Sequence, residues 1–241
     1  MQAKPNLVRT ALGAFLLEDE TYADMRDDPR RLPRALVFIL VIGALVGAAT
    51  ACGQLSRWAF TPNLDLVRAT VLDHLTKMAW YSSLEAQAGS RFTSQFTQTY
   101  DAVWQVIKAT APSPVGLVGI LLRPLGLLIG WALYGLVAHL TAKLLGGQGS
   151  LAQTLGCTAL AAAPQLLNLI QVMPYAVAAG VGAWALVCNF TALRTAHGLS
   201  GWRALIAALV PLILYAIVVA FLVSVGIVIG LFTFNQLAGV K

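Results

Sequence analysis

The stretch KLLGGQGSLAQTLGCTALAAAP, residues 143–164, decides the fold. It ends one long apolar run, turns within a few residues and opens another. Gly146, Gly147 and Gly149 give the backbone the freedom to reverse direction, and Ser150 stands where a helix N-cap belongs. A turn this short between two runs of bilayer length makes the two helices antiparallel neighbours. The stretch therefore predicts a polytopic membrane protein.

The composition agrees with a membrane protein. Of the 241 residues, 58% are hydrophobic and only 11% are charged, whereas soluble domains carry about 25% charged residues. So few charges cannot cover a water-exposed surface, and most of the surface must face lipid. The net charge of +6 does not indicate nucleic acid, because the basic residues stand at the ends of apolar runs, where they meet lipid headgroups. The three cysteines have no metal-ligand spacing, so we predict no metal site and no cofactor.

The apolar runs predict five membrane-spanning helices. Their approximate bounds are 35–53, 125–145, 151–173, 175–193 and 204–234. Arg123-Pro124 interrupts the second run. Residues 115–122 are therefore either a separate interfacial piece before the span or the first part of one kinked, tilted helix.

Two further segments are predicted to be helical. Residues 1–34 are a cytoplasmic amphipathic segment, with an interfacial helix over 6–17 and a solvated, charged connector over 18–34. The polar insert 54–113 predicts two amphipathic helices broken near Gly89-Ser90, packed on the membrane surface, on each other or on a partner. The predicted fold is an all-α, five-span transmembrane bundle over residues 35–241, with an N-terminal interfacial helix and a two-helix insert.

Basic residues near the span ends predict the orientation. With the N-terminus in the cytoplasm, that side receives Arg26, Arg30, Arg31, Arg34, Lys143, Arg194 and Arg203. Apart from the insert, the other side receives only Lys241. We therefore predict a cytoplasmic N-terminus, a C-terminus outside and an insert on the outer face. The predicted interface anchors are Arg34, Arg123, Lys143, Arg194, Trp202 and Arg203.

The last acidic residue is Asp101, so no predicted span contains a carboxylate. Cation-coupled transporters and proton relays usually place carboxylates inside the membrane, and this absence argues against both. The GxSG pattern at 198–201 resembles the serine motif of rhomboid-type proteases, but no histidine follows His197 to act as a base. We predict no catalytic residue and no enzymatic activity.

Small residues recur four positions apart in four predicted spans. The pairs are Gly43/Gly47, Gly126/Gly130, Ala178/Gly182 and Gly226/Gly230. Such pairs let helix backbones approach closely in lipid, where no hydrophobic effect drives helices together. They predict a tight bundle, a self-association face, or both.

Polar residues inside the spans offer a second set of candidates. Gln165, Asn168 and Gln171 follow one another at i, i+3 and i+6 in the third span. They predict either interhelical hydrogen bonds or a polar face lining a cavity. His139, late in the second span, predicts an interhelical hydrogen bond or a headgroup contact.

Three stretches carry a family resemblance: DDPRRLPRAL at 27–36, LLGGQGSLAQTLGCTALAAAP at 144–164 and TALRTAHGLSGWRAL at 191–205. They resemble the Yip family, the Ypt/Rab-GTPase-interacting membrane proteins, in its bacterial branch. The resemblance implies five spans, a cytoplasmic N-terminus and a bacterial cytoplasmic membrane, and it supplies no catalytic residue. Eukaryotic members are linked to vesicle trafficking and GTPase recruitment. Because the N-terminal region lacks a DLYGP-like motif, we do not expect a Rab-type GTPase partner.

Two functional hypotheses follow. The first is a non-enzymatic, Yip-like membrane protein that acts as a scaffold, a membrane-organising protein or an accessory subunit. Its expected partners are membrane lipids and other membrane subunits or further copies of itself, with no nucleic acid. The second is a carrier or channel for a small or lipidic solute that uses the polar face of the third span.

Overall fold

The computed structural model of the chain describes residues 6–111 and 118–238, and every regular element in these ranges is helical. The α-helices are α1 Leu7–Phe15, α2 Asp19–Asp27, α3 Arg31–Phe60, α4 Leu64–Thr76, α5 Ala79–Ala88, α6 Ser90–Thr110, α7 Gly119–Leu144, α8 Leu151–Ala159, α9 Val181–His197 and α10 Gly201–Ala238. A 3-10 segment, Leu160–Val172, continues α8. The prediction of an all-α fold is confirmed.

Among the described residues, four helices are long and apolar enough to cross a membrane. They are Arg31–Phe60, Leu122–Leu144, Leu151–Val172 and Gly201–Gly230, and they overlap the first, second, third and fifth predicted spans. The predicted fourth span, 175–193, differs. Tyr175 (φ 66°) and Gly180 (φ 78°) have left-handed backbones, so α9 begins only at Val181. Its 17 residues reach ~26 Å, slightly less than the ~30 Å hydrocarbon core.

Helix α3 lies at the centre of the bundle, packed against α7 and against the 3-10 segment. Glycines allow both close approaches. A Cβ built on Gly43 would lie 2.6 Å from the Cα of Pro124 in α7, and one built on Gly53 would overlap the carbonyl oxygen of Gln171. Only a residue without a side chain brings α3 this near to both backbones.

The third span changes geometry part-way along. Pro164 is fully buried and has no N–H to donate, and the backbone from Leu160 to Val172 has 3-10 geometry. A 3-10 helix rises ~2.0 Å per residue, so these 13 residues extend ~26 Å. With α8 before it, the segment is long enough to traverse the bundle.

The N-terminal segment packs into the bundle. Helices α1 and α2 form a hairpin that contacts α8, the 3-10 segment and α9. Tyr22 and Met25 of α2 are fully buried, and Tyr22 Oη donates to the carbonyl of Ala14 at 3.1 Å. The prediction of a solvated connector over 18–34 is therefore wrong. The many charged residues of this stretch gave no indication of a packed helix, because its buried face consists of only two residues three positions apart.

The insert holds three helices instead of the predicted two. Gly89 (φ 62°) separates α5 from α6 at the predicted break. The additional break lies at Lys77-Met78, which the run of apolar residues across α4 and α5 did not reveal. Tyr81 of α5 packs against Phe92 and Phe96 of α6, with ring centroids 5.2 and 5.1 Å apart. The aromatic stripe thus packs within the insert.

Helix α7 continues through Pro124, although a proline removes one N–H and crowds one preceding carbonyl. The predicted interfacial piece over 115–122 is therefore wrong from Gly119 onward, where the chain already belongs to α7. Residues 112–117 lie outside the described residues. The alternative of one continuous helix agrees with the described part of this run.

Among residues 201–230 of helix α10, whose burial the structure describes, the buried positions all lie in the first turns. Ala204, Ala207 and Ala208 are fully buried against α7 and α9, and Pro211 is buried as well. Every residue from 212 to 230, called here the exposed half of α10, is exposed. The small side chains of Ala204, Ala207 and Ala208 let these first turns lie close to the bundle.

Candidate functional site

One end of the bundle is organised by the turn at residues 145–150. We call it the turn end; it also includes the start of α3, the end of α9 and the start of α10. Gly146 has a left-handed backbone (φ 87°), and the N–H groups of Gly146 and Gly147 donate to the last carbonyls of α7 at 3.0 and 2.9 Å. Ser150 and Gln153 form a reciprocal capping box at the start of α8. The chain reverses here with its helix-end groups satisfied.

The turn rests on the end of α9. A Cβ built on Gly147 would lie 2.6 Å from Nδ1 of His197, and one on Gly149 would overlap the carbonyl of Ala196. The N–H of Gln148 donates to the carbonyl of His197 at 3.1 Å. The glycines therefore serve a backbone-to-backbone contact between the turn and α9.

Beneath the turn, Thr154 joins two histidines. Its Oγ1 lies 2.9 Å from Nδ1 of His139 and 2.8 Å from Nε2 of His197. It also donates to the carbonyl of Ser150 at 3.0 Å. With its hydrogen on the Ser150 carbonyl, the Thr154 hydroxyl has two lone pairs that can accept from a ring N–H of each histidine.

This arrangement is a structural joint. His197 is 2% exposed, and its Nδ1 has no hydrogen-bond partner among the described residues. The hydroxyl of Thr154 also bonds the carbonyl of Ser150, one turn earlier in the chain. The joint ties α7, α8 and α9 together. Within the described residues, no group of three His, Cys, Asp or Glu side chains could hold a metal ion.

Gln165, Asn168 and Gln171 form a continuous hydrogen-bonded row along the 3-10 segment. Asn168 Nδ2 donates to Oε1 of Gln165 at 2.8 Å, and Gln171 Nε2 donates to Oδ1 of Asn168 at 3.1 Å. Thr50 of α3 continues the row, with its Oγ1 2.9 Å from Oε1 of Gln171. The structure thus brings the three predicted polar residues together and links them to α3.

A lateral groove of about 200 Å³ opens beside the start of this row. Its walls come from α3, α7, α8, the 3-10 segment and α9, and they include Gly126, Gly130, Trp131, Tyr134, Gln165 and Asn189. Tyr134 Oη donates to the carbonyl of Ala208 in α10 at 3.0 Å, close to where α10 loses contact with the bundle. Oδ1 of Asn189 is buried without a hydrogen-bond partner among the described residues. We call this the lateral groove.

The predicted small-residue pairs are placed in different ways. Gly43 contacts Pro124, Gly47 is buried in α3, and Ala178 is half-buried before α9. A Cβ built on any of the others would meet no described atom within 4 Å; these are Gly126, Gly130, Gly182, Gly226 and Gly230. Within the described residues, a Cβ on Gly126, Gly130, Gly182 or Gly226 would therefore meet no other helix. Gly126 and Gly130 instead form the floor of the lateral groove.

The predicted anchors divide between the two ends of the bundle. Lys143, Arg194, Trp202 and Arg203 are exposed at the turn end, and a Cβ on Gly146 would lie 3.6 Å from Nη1 of Arg203. Arg34 is half-buried at the same end, where its Nη1 donates to Oδ2 of Asp28 at 2.6 Å. Arg123 is exposed near the start of α7, at the opposite end.

Comparison with protein-family models finds the Yip1 domain over residues 12–223. This match spans most of the chain. The chain belongs to the Yip1 domain family. The matched residues include all three stretches on which the resemblance rested, and the match confirms the predicted resemblance to the Yip family. Comparisons with curated proteins and with solved structures found no match.

The sequence did not single out Thr154 or His197 as members of a site. A signal for Thr154 was present, because it follows Ser150 by one helical turn and so shares its face. His197 stands in the last turn of α9 before Gly198, a position typical of a C-terminal contact. Their partnership joins helices far apart in sequence, which spacing within one helix does not reveal.

Proposed function

We propose that this Yip1-family chain is a non-enzymatic membrane scaffold or accessory subunit that binds other membrane helices, in other proteins or in further copies of itself. The observation that carries the proposal is the lateral groove. Its glycine floor, Gly126 and Gly130, offers a close approach to the backbone of a partner helix, and such close packing favours helix association in lipid.

The exposed half of α10 supplies a second contact surface. It is a long apolar helix that leaves the bundle beside the lateral groove. In lipid, the hydrophobic effect does not drive such a surface to associate with another helix. Small residues that permit close packing therefore determine where helices associate. Gly226 lies on this half with open space around a built Cβ.

The test is to fill each surface and measure assembly. Gly126→Leu places a side chain in the lateral groove, and Gly226→Leu places one on α10. Leu133→Phe is the matched control, because Leu133 is 61% exposed on α7 outside the groove. We expect native mass spectrometry and crosslinking in membranes to show complexes lost in both glycine variants and kept in the control. Unchanged complexes in Gly126→Leu would refute the groove as the contact.

A membrane topology belongs to the same proposal. We propose five crossings, with α9 as the fourth, and a bacterial cytoplasmic membrane with the N-terminus inside and the C-terminus outside. The support is geometric: α9 ends against the turn from which α8 begins, so the two run in opposite directions. The test labels single cysteines with maleimide in a Cys52→Ser background. We expect Ser90→Cys to be labelled from outside, and Arg194→Cys to be labelled only after permeabilisation. The reverse pattern would refute the orientation.

A carrier or channel for a small or lipidic solute is the second candidate. It is favoured by the polar atoms that Gln165 and Asn189 present in the lateral groove, next to the row that continues to Gln171. This function would be supported if a candidate solute entered vesicles that contain the protein and if Asn168→Leu abolished that flux. Flux that is unchanged by Asn168→Leu would argue that the polar row serves helix packing alone.

A further inference from the structure

A second cavity, of about 390 Å³, opens at the turn end between α1, the end of α2 and the first turns of α3. It is separate from the lateral groove and shares no wall residue with it. Arg30 and Arg34 line one side, and Val37 and Phe38 line another. We call it the arginine cleft. Its walls thus combine fixed positive charge with an apolar surface.

Arg34 is held in place on the charged side. Its Nη1 donates to Oδ2 of Asp28 at 2.6 Å, and its Nη2 lies 3.4 Å from Oγ1 of Thr10 in α1. A guanidinium has five N–H groups, so this bracing leaves donors for a ligand. Arg30 is exposed at the rim, and none of the ion pairs within the described residues uses its side chain.

Asp28 does not cancel this charge. It accepts from the side chain of Arg34 and from the backbone N–H of Arg30, at 2.6 and 2.7 Å. Two guanidinium groups against one carboxylate leave the cleft with an excess positive charge. Arginine recognises phosphate through paired N–H groups, so the charged side fits a phosphate ester.

The apolar side continues beyond the cleft. Val37 is followed at four-residue intervals by Val41 and Leu45, which lie on the same face of α3. Their exposed fractions are 50%, 38% and 49%. Since α3 is long and apolar enough to cross the membrane, this stripe runs from the cleft toward the hydrocarbon. A charged rim joined to an apolar stripe matches a headgroup joined to an acyl chain.

We propose that the arginine cleft binds one anionic glycerophospholipid. The phosphate lies against Arg30 and Arg34, and one acyl chain follows Val37, Val41 and Leu45 along α3. Free inorganic phosphate shares the headgroup chemistry but does not use the apolar stripe. The site does not depend on the scaffold function, because it lies outside the lateral groove and away from the exposed half of α10.

The test uses the purified full chain in detergent, titrated with phosphatidylglycerol and, separately, with phosphatidylcholine, and followed by native mass spectrometry. We expect one phosphatidylglycerol per chain to bind preferentially. Arg30→Gln should weaken that binding about fivefold. Arg194→Gln is the matched control, since Arg194 is exposed at the turn end outside the cleft, and it should have no effect. Equal weakening in both variants would overturn the proposal in favour of general surface charge.

Arg34→Gln should weaken binding at least as much as Arg30→Gln, but Arg34 also braces α1. Arg30 has no such role in the fold, so its variant keeps the proposal open to refutation even if Arg34→Gln unfolds. Val37→Asn tests the acyl chain: it should weaken lipid binding and leave binding of inorganic phosphate unchanged. Lipid binding that Val37→Asn does not alter, and that inorganic phosphate displaces, would reduce the site to an anion site and overturn the lipid assignment.

Discussion

The turn end and the exposed half of α10 use small residues in opposite ways. At the turn end, Gly147 and Gly149 lie against the backbone and side chains of α9, and a Cβ at either position would collide. Around Gly226, a built Cβ meets no described atom within 4 Å, as is also true for Gly126 in the lateral groove. The same residue type therefore marks a closed contact at one place and an open surface at the other.

The difference separates the contacts that stabilise the fold from the surfaces that are open to a partner. Alanines and a buried leucine close the bundle at the turn end, where Leu193, Ala204 and Ala207 are fully buried. In the exposed half of α10, every residue from 212 to 230 is exposed. In lipid, an unpacked apolar surface such as the exposed half of α10 does not lower the stability of the fold. Substitutions there should therefore affect association and leave the fold intact.

The largest effect should come from Gly147→Val. The added side chain would begin 2.6 Å from Nδ1 of His197 and 2.8 Å from the carbonyl of Ala142, and neither can move without disturbing a helix end. We expect a loss of about 3 kcal/mol in the free energy of unfolding. Gly126→Ala, where a Cβ has open space, should leave it unchanged. Unfolding in detergent measures both; equal stabilities would contradict the closed contact.

A pair of leucines tests the same contrast without adding atoms. Leu193→Ala removes a fully buried side chain at the turn end, whereas Leu214→Ala removes one that is 47% exposed on α10. We expect Leu193→Ala to cost about 2 kcal/mol, at the low end for such changes because lipid can contact part of what is uncovered. Leu214→Ala should cost much less. A larger cost for Leu214→Ala would mean that α10 is packed along its whole length.

The sequence predicts some features of this molecule and not others. Long apolar runs predicted the helices long enough to cross a membrane, and Gly146 with Ser150 predicted the turn between α7 and α8, because length, apolarity and capping are local properties. The break before α9 was missed. It depends on left-handed backbones at Tyr175 and Gly180. A tyrosine in the sequence does not predict such a conformation, which is uncommon for residues other than glycine.

The candidate site was predictable only along a single helix. Spacing placed Gln165, Asn168 and Gln171 in one row, and the structure links them as neighbours. It did not predict that Thr154 would meet His139 and His197, because that joint needs the relative positions of three helices. It also did not show that Gly126 and Gly130 would face a groove, since the pattern for close packing is the same whether or not a helix fills the space.

Thr154→Val tests the joint at the turn end. Valine keeps the shape but removes the acceptor for Nδ1 of His139 and Nε2 of His197, which leaves two donors without a partner. We expect a loss of about 1–2 kcal/mol. Thr141→Val is the matched control, because the hydroxyl of Thr141 donates only within its own helix, to Val137 at 2.9 Å. If both variants lose the same stability, the histidine contacts contribute nothing.

The smallest effect should be a pH dependence confined to the α1–α2 hairpin. Burial acts to raise the pKa of Asp28, but the hydrogen bonds from Arg34 and from the N–H of Arg30, with their charges, outweigh it and hold that pKa below its usual value. A lowered pKa means that the folded state favours the carboxylate. The pair therefore stabilises the hairpin above the unfolded pKa of about 3.9, and this contribution is lost as the pH falls through the lower, folded value.

We expect the hydrogen-exchange protection factors over residues 7–27, corrected for the intrinsic exchange rate at each pH, to fall below about pH 4, with a loss of less than about 1 kcal/mol because the pair is only partly buried. Protection factors in α10 should not change over the same range, since residues 212–230 contain no titrating carboxylate or histidine. Asp28→Asn should show at neutral pH the lower protection that the native chain shows in acid, and should lose the pH dependence. A hairpin that remains acid-sensitive in Asp28→Asn would place the titrating group elsewhere, with the exposed acids of α2 as the next to substitute.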